Sequence, residues 1–180
     1  METCYIFGAG DFTPCTIDLT SKDLVIAADG GYDYLIRLGL RADVVLGDFD
    51  SVTSPDLWDD AICEKLTYPP EKDDTDMMLA IKLGLSRGYR EFAIYGGLDH
   101  TIANIQSLTY LAGEGAAGIL YGDSYALTVI KDSSFTVPKD ATGMVSVFSL
   151  SDSSENVSIK GLKYEVDGVT LTNVFPLGVI

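Results

Sequence analysis

The sequence predicts an α/β domain, a mostly parallel sheet flanked by helices, followed by a smaller antiparallel β domain. Three observations carry this. Up to about residue 125, short β-branched runs alternate with helical segments; beyond it, the hydrophobic period changes to two and no helix is evident. The 180 residues with 47% apolar content suffice for one ordinary domain or two small ones, and argue against disorder. An alternating βαβα order implies a parallel sheet covered on both faces.

Taken in order, the runs at 4–7, 24–28, 44–46, 64–68, 92–95 and 118–121 read as buried strands, most of them closed by a glycine or an aspartate. Helices are expected over 32–38, 55–62, 75–87 and 101–112. In the third, Met77, Ala80, Ile81, Gly84 and Leu85 fall at i, i+3, i+4, i+7 and i+8, a buried helical stripe. Short strands at 127–130, 134–137, 144–148, 157–159 and 163–166 follow, separated by turn residues. The boundary is expected at 124–126, giving units 1–124 and 125–180. A unit of about fifty-five residues buries little surface alone, so the second is expected to pack on the first or on another subunit.

The charge narrows the partners. With 27 acidic against 12 basic side chains, the net charge is −15. Affinity for a polyphosphate backbone comes from Lys and Arg, so nucleic acid is not an expected partner. Twenty of the acids are Asp, a residue of turns, caps and hard-metal sites, so a phosphorylated ligand would call for a mediating metal. No basic leader precedes a long apolar run, and no apolar stretch approaches the ~20 residues of a membrane span. Cys4, Cys15 and Cys63 lack zinc-site spacing and read as small apolar residues. The expectation is a soluble cytoplasmic protein without a membrane partner.

Ligands of an open parallel sheet bind beyond the carboxyl ends of its strands. Ala28-Asp29-Gly30-Gly31 follows the second strand, Gly47-Asp48-Phe49-Asp50-Ser51 the third, and Lys72-Asp73-Asp74-Thr75-Asp76 precedes the third helix. Asp48 and Asp50, two apart on an extended segment, would project from one face as a clamp for Mg²⁺; an Asx turn beside a solvated loop Asp reads equally well. Asp73, Asp74 and Asp76 crowd like charge at a helix start. One capping Asp would suffice, so at least one is a candidate ligand, and Lys72 either meets a phosphate or balances its neighbours. Gly30 and Gly31 suit close backbone approach to an anion or an ordinary tight turn. Asp99 and His100, the single histidine, precede the helix bearing Asn104; an N-cap and a first-turn polar group are the plain alternatives. Gly8-Ala9-Gly10 is an incomplete dinucleotide fingerprint, and no Walker A run is present.

Together with Leu98-Asp99-His100-Thr101-Ile102-Ala103-Asn104-Ile105, Gly161-Leu162-Lys163-Tyr164 and Leu171-Thr172-Asn173-Val174-Phe175-Pro176-Leu177-Gly178, these motifs resemble, in order and spacing over nearly the whole chain, those of the thiamine pyrophosphokinase family. The resemblance implies an α/β domain with a β-sandwich domain, the first binding ATP and Mg²⁺ and the second serving thiamine binding and dimerisation. It implies a homodimer with a shared site and transfer of a pyrophosphoryl group from ATP to the hydroxyl of thiamine, releasing AMP. Carried over by position, it makes Asp48, Asp50, Asp76 and Asp73 the Mg²⁺ ligands and places Asp29 and Asp99 in the substrate cleft. It sets Tyr164 beside the thiamine rings, and Ser51, Lys72, Thr75, His100 and Asn104 complete the binding set. The competing expectations are an Mg²⁺-dependent phosphohydrolase with Asp48 as nucleophile, and a non-enzymatic nucleotide-binding module.

Two departures from the family pattern stand out. Gly97 joins Leu98 directly, without the arginine-bearing stretch that precedes the Asp-His pair in the family, and Ile180 falls before a Ser-Asn-containing segment. The expectation is that the natural chain carries further residues at both places, which an intact mass of 19.4 kDa would contradict.

Overall fold

The computed structural model describes residues 2–10, 17–49, 63–69, 74–96 and 101–175. Residues 55–62, where a helix is expected, lie outside these. The chain divides into two compact units, Met1–Phe135 and Thr136–Ile180.

Among its described residues the first unit forms a seven-stranded sheet in the order β4-β3-β2-β1-β5-β6-β7. Its strands are β1 (Thr3–Phe7), β2 (Leu24–Ala28), β3 (Val44–Gly47), β4 (Glu64–Thr67), β5 (Glu91–Tyr95), β6 (Ala117–Tyr121) and β7 (Ala126–Thr128). The first six pair in parallel, and β7 runs antiparallel to β6 with Tyr121 opposite Ala126. The first unit therefore extends past the boundary expected at 124–126, because the chain turns back through a Gly122 amide to Tyr125 carbonyl bond of 2.8 Å and adds one more strand.

Among the described residues three helices cover the sheet: α1 (Gly31–Leu38), α2 (Asp76–Ser86) and α3 (Thr101–Gly113). All five residues of β2 are buried. Leu24, Ile26 and Ala28 enter the core formed with Met77, Ala80 and Ile81 of α2 and Leu108 and Leu111 of α3, whereas Val25 and Ala27 enter the opposite core with Leu35 of α1. A strand buried on both faces reads as an unbroken apolar run, which is why the alternation of its side chains is invisible in the sequence. The expected α2 stripe holds, with Gly84 set so tightly that an added Cβ would stand 2.6 Å from the Phe92 ring and 2.9 Å from the Cys4 sulfur. Burial pushes the Cys4 thiol up to about 12, and Cys63 is half-buried; Cys15 lies outside the described residues.

Expectations for several strands are corrected. β4 is not a buried strand but the sheet edge, and Glu64 and Lys65 on it are exposed. Residues 134–137 and 144–148 form no strand, and of the strand expected at 163–166 only Val166 is in one. The described strands of the second unit are β8 (Ser154–Ile159) and β9 (Val166–Leu171), an antiparallel pair with Val157 opposite Val169. Its register is irregular around Asn156 (φ 56°) and Gly168 (φ 64°), where the Gly168 amide donates to the Ser158 hydroxyl at 3.0 Å. The loop joining the two strands bears Tyr164 and is tied by the Gly161 amide donating to Glu165 Oε1 at 2.6 Å.

Candidate active site

In a parallel strand-helix-strand unit the helix runs back against the strands, so its N-terminus lies at their carboxyl edge. The starts of α1, α2 and α3 therefore gather at one edge with the ends of β1 to β6. The strand order turns between β1 and β5, the topological switch point where such sheets bind ligands.

Asp29 stands at the end of β2 in a left-handed conformation, φ 49°. Its amide donates to the Leu46 carbonyl at 2.8 Å, its carbonyl accepts from Tyr32 at 3.2 Å, and its carboxylate oxygen Oδ1 is buried with no hydrogen-bond partner among the described residues. A buried carboxylate oxygen without a donor is costly unless a cation or donor arrives, so Asp29 fits a site that takes a positively charged group. Gly30 caps α1 and Gly31 is its first residue. A Cβ on Gly31 would fall 1.9 Å from the Phe7 carbonyl oxygen, so the close approach that demands glycine there is helix against strand.

Asp48 follows β3 directly and is half-buried. Phe49 after it has φ 64°, so the backbone leaves the extended conformation at that residue. Strand alternation thus does not extend past Asp48, and Asp50 and Ser51 lie outside the described residues. Sequence reasoning also missed the interlock beneath it. A Cβ on Gly47, whose φ is 143°, would stand 3.2 Å from Asp29 Cα. A glycine between an apolar run and an aspartate was the only local sign of it.

At α2, Thr75 is the N-cap: its hydroxyl accepts from the Met78 amide at 3.1 Å. Asp76 opens the helix as its first-turn acid, where a carboxylate complements the helix dipole, the plain alternative to a ligand role. Asp74 is held by Lys82, with Nζ at 2.8 and 2.6 Å from its two oxygens. Asn104 is buried on α3. Lys72, Asp73, Asp99 and His100 lie outside the described residues. Among the described residues no three carboxylate, imidazole or thiol groups converge on a metal position; two of the four expected ligands, Asp50 and Asp73, are not among them. In the second unit Tyr164 is 55% exposed, and Lys163 Nζ stands 5.2 Å from its ring centroid.

The sequence matches the profile of the thiamin pyrophosphokinase catalytic domain over residues 18–118, more than half of the chain and inclusive of Asp29, Asp48, Asp76 and Asn104. A search of curated proteins gave no match. Among solved structures, thiamine pyrophosphokinase from Bacillus subtilis superposes with a TM-score of 0.82 at 22% identity, covering 98% of this chain and 87% of that one. The Geobacillus thermodenitrificans enzyme gives 0.78 at 24% identity over 94% and 83% of the two chains, and a family protein from Enterococcus faecalis 0.72 at 22% over 99% and 87%. At these identities the structures establish the fold, in agreement with the parallel sheet and its helices. The profile match across the strand ends that carry Asp29 and Asp48 makes the chain a member of the thiamin pyrophosphokinase family.

Proposed function

We propose that the protein is a thiamine pyrophosphokinase, transferring the pyrophosphoryl group of ATP to the hydroxyl of thiamine to give thiamine diphosphate and AMP. The observation that carries this reading is the catalytic-domain match across residues 18–118, together with the buried, partnerless Asp29 oxygen at the carboxyl edge of the sheet.

In this reading Asp48, Asp50 and Asp76, with Asp73, hold Mg²⁺, which supplies the positive charge against a triphosphate that a chain of net charge −15 lacks. The oxygen donor set is the kind that a hard cation takes. Phosphoryl-type transfer asks the protein chiefly for in-line positioning and electrostatic stabilisation. The start of α1 at Gly31 turns the positive end of a helix toward the same edge, where phosphate oxygens would lie. A carboxylate of the cleft, Asp99 or a neighbour, takes the proton of the thiamine hydroxyl as its oxygen bonds to the β-phosphorus. The bridge to the α-phosphate breaks, and AMP departs with the electron pair. Tyr164 offers its ring to the cationic thiazolium. Ser51, Lys72, Thr75, His100 and Asn104 belong to the binding set by their position in the motifs.

We further propose a cytoplasmic homodimer. Met144, Phe148, Val174 and Phe175 stand exposed in the second unit, apolar surface of the kind that subunit contacts cover. No helix among the described residues is long and apolar enough to cross a membrane. Incubation with ATP, Mg²⁺ and thiamine tests the function: thiamine-dependent AMP supports it, whereas thiamine-independent phosphate would favour a phosphohydrolase using Asp48, and binding without turnover a nucleotide-binding module.

A further inference from the structure

The Lys82–Asp74 pair joins a residue ahead of the α2 cap to one seven positions inside the helix. Eight residues of helix span about 12 Å, yet Nζ lies 2.6 Å from Asp74 Oδ2. A lysine on a helix leans toward the N-terminus, which closes part of that gap. The reach of the Asp74 side chain, two residues ahead of the helix, closes the rest. Both oxygens of Asp74 are engaged, and the hydrogen bond to that carboxylate, reinforced by its charge, raises the Lys82 pKa above the ordinary lysine value. Thr75 and Asp76 follow within two residues.

We propose that Lys82 is a positioning residue for the candidate active site: it clamps the Asp74 carboxylate and so holds Asp74 and Thr75, the two residues that lead into Asp76, against α2. The consequence for turnover rests on the kinase reading; the clamp itself does not. Lys82 takes one of the clustered carboxylates out of competition for a cation and orders the chain before the cation arrives. Loss of that order raises the cost of binding the metal and leaves the chemical step unaltered, since preorganisation acts on affinity.

The test compares Lys82→Met, Asp74→Asn, the double variant and Lys82→Arg in the full chain. Each single variant is expected to raise the Mg²⁺ concentration for half-maximal AMP formation about two- to fivefold, the range of an exposed ion pair, with kcat little changed. The double variant is expected to be no worse than either single one, and Lys82→Arg to restore the wild-type value. Additive losses in the double variant, or a wild-type Mg²⁺ dependence in Lys82→Met, would overturn the proposal. Amide hydrogen exchange across Asp74, Thr75 and Asp76 provides a readout without turnover. Lys82→Met is expected to accelerate it, and unchanged exchange contradicts the clamp even if the wild type makes no AMP. Absence of AMP from the wild type, with exchange accelerated in the variant, would sink the kinase reading and leave the clamp standing.

Discussion

Gly47 lies so close against Asp29 that a Cβ there would stand 3.2 Å from the Asp29 Cα and 3.3 Å from its Cβ. The ends of β2 and β3 thereby meet without an intervening side chain, and the Asp29 carboxylate is set beside the turn that carries Asp48. Gly47 also holds φ 143°, a conformation that L-residues rarely adopt. Gly47→Ala is expected to lower stability by about 1–3 kcal/mol, read by urea denaturation. Gly39→Ala, at φ 66° with open space around it, is the comparison and is expected to cost less. Equal losses would remove the contact with Asp29 from the explanation.

The buried Oδ1 of Asp29 makes a second expectation. Asp29→Asn removes the charge of a half-buried carboxylate whose Oδ1 is buried without a partner, while keeping the shape, so the metal-free variant is expected to match or exceed the wild type in thermal stability. Its thiamine-dependent AMP formation is expected to fall by about 100-fold, the scale of losing one electrostatic partner of a reacting group. A variant that is both destabilised and fully active would place the carboxylate in the architecture and not in the site.

Tyr164 tests the acceptor side. Its exposed ring is already approached by the Lys163 ammonium at 5.2 Å, so one cation is in place before any ligand arrives. Tyr164→Ala is expected to raise KM for thiamine about fivefold, the equivalent of a cation–π contact near 1 kcal/mol, with KM for ATP unchanged. Lys163→Met, which removes the resident cation, is expected to lower KM for thiamine. Parallel shifts in both substrates would point to a folding defect of the second unit.

Asp23 gives a pH dependence for the fold. Its partial burial pushes the carboxyl pKa upward, but hydrogen bonds from the Thr3 amide at 2.8 Å, the Thr20 amide at 2.8 Å and the Thr20 hydroxyl at 2.9 Å outweigh this and hold it below the ordinary value. A folded-state pKa below the unfolded one adds stability that is complete above about pH 4 and is lost as acid carries the pH down through the folded value. The wild-type stability is therefore expected to fall more steeply below pH 4 than that of Asp23→Ala. That variant is itself expected to be weaker by about 1 kcal/mol at neutral pH. Identical acid limbs would show that the tie between β1 and the 20–23 turn does not titrate with folding.

Much of the α/β architecture was legible because its strands are buried on both faces and its helices carry one apolar side. The run 24–28 and the α2 stripe are examples, and both occur as the local pattern predicts. What failed had causes that no local pattern carries. Glu64 and Lys65 sit on an edge strand, which depends on the order of the sheet. Residues around Phe135 and Val137 alternate as a strand does, yet that alternation does not supply a pairing partner, and both side chains are exposed. The turn at Phe49 and the contact of Gly31 with the Phe7 carbonyl arise from neighbours distant in sequence or from backbone angles. In the site, Asp29, Asp48 and Asp76 were placed at strand and helix ends by spacing alone. The roles of Thr75 as cap and Lys82 as the partner of Asp74 emerge only from the folded helix.

In the proposed reaction, carboxylates at the carboxyl ends of the strands hold Mg²⁺ for pyrophosphoryl transfer to thiamine. Following AMP and thiamine diphosphate in the wild type, Asp48→Asn and Asp50→Asn tests it most directly. The wild type is expected to form equal amounts of both products, only with thiamine and Mg²⁺ present, and each variant to lose most turnover with the fold retained. ADP or phosphate without AMP, or wild-type rates in the two variants, would contradict it.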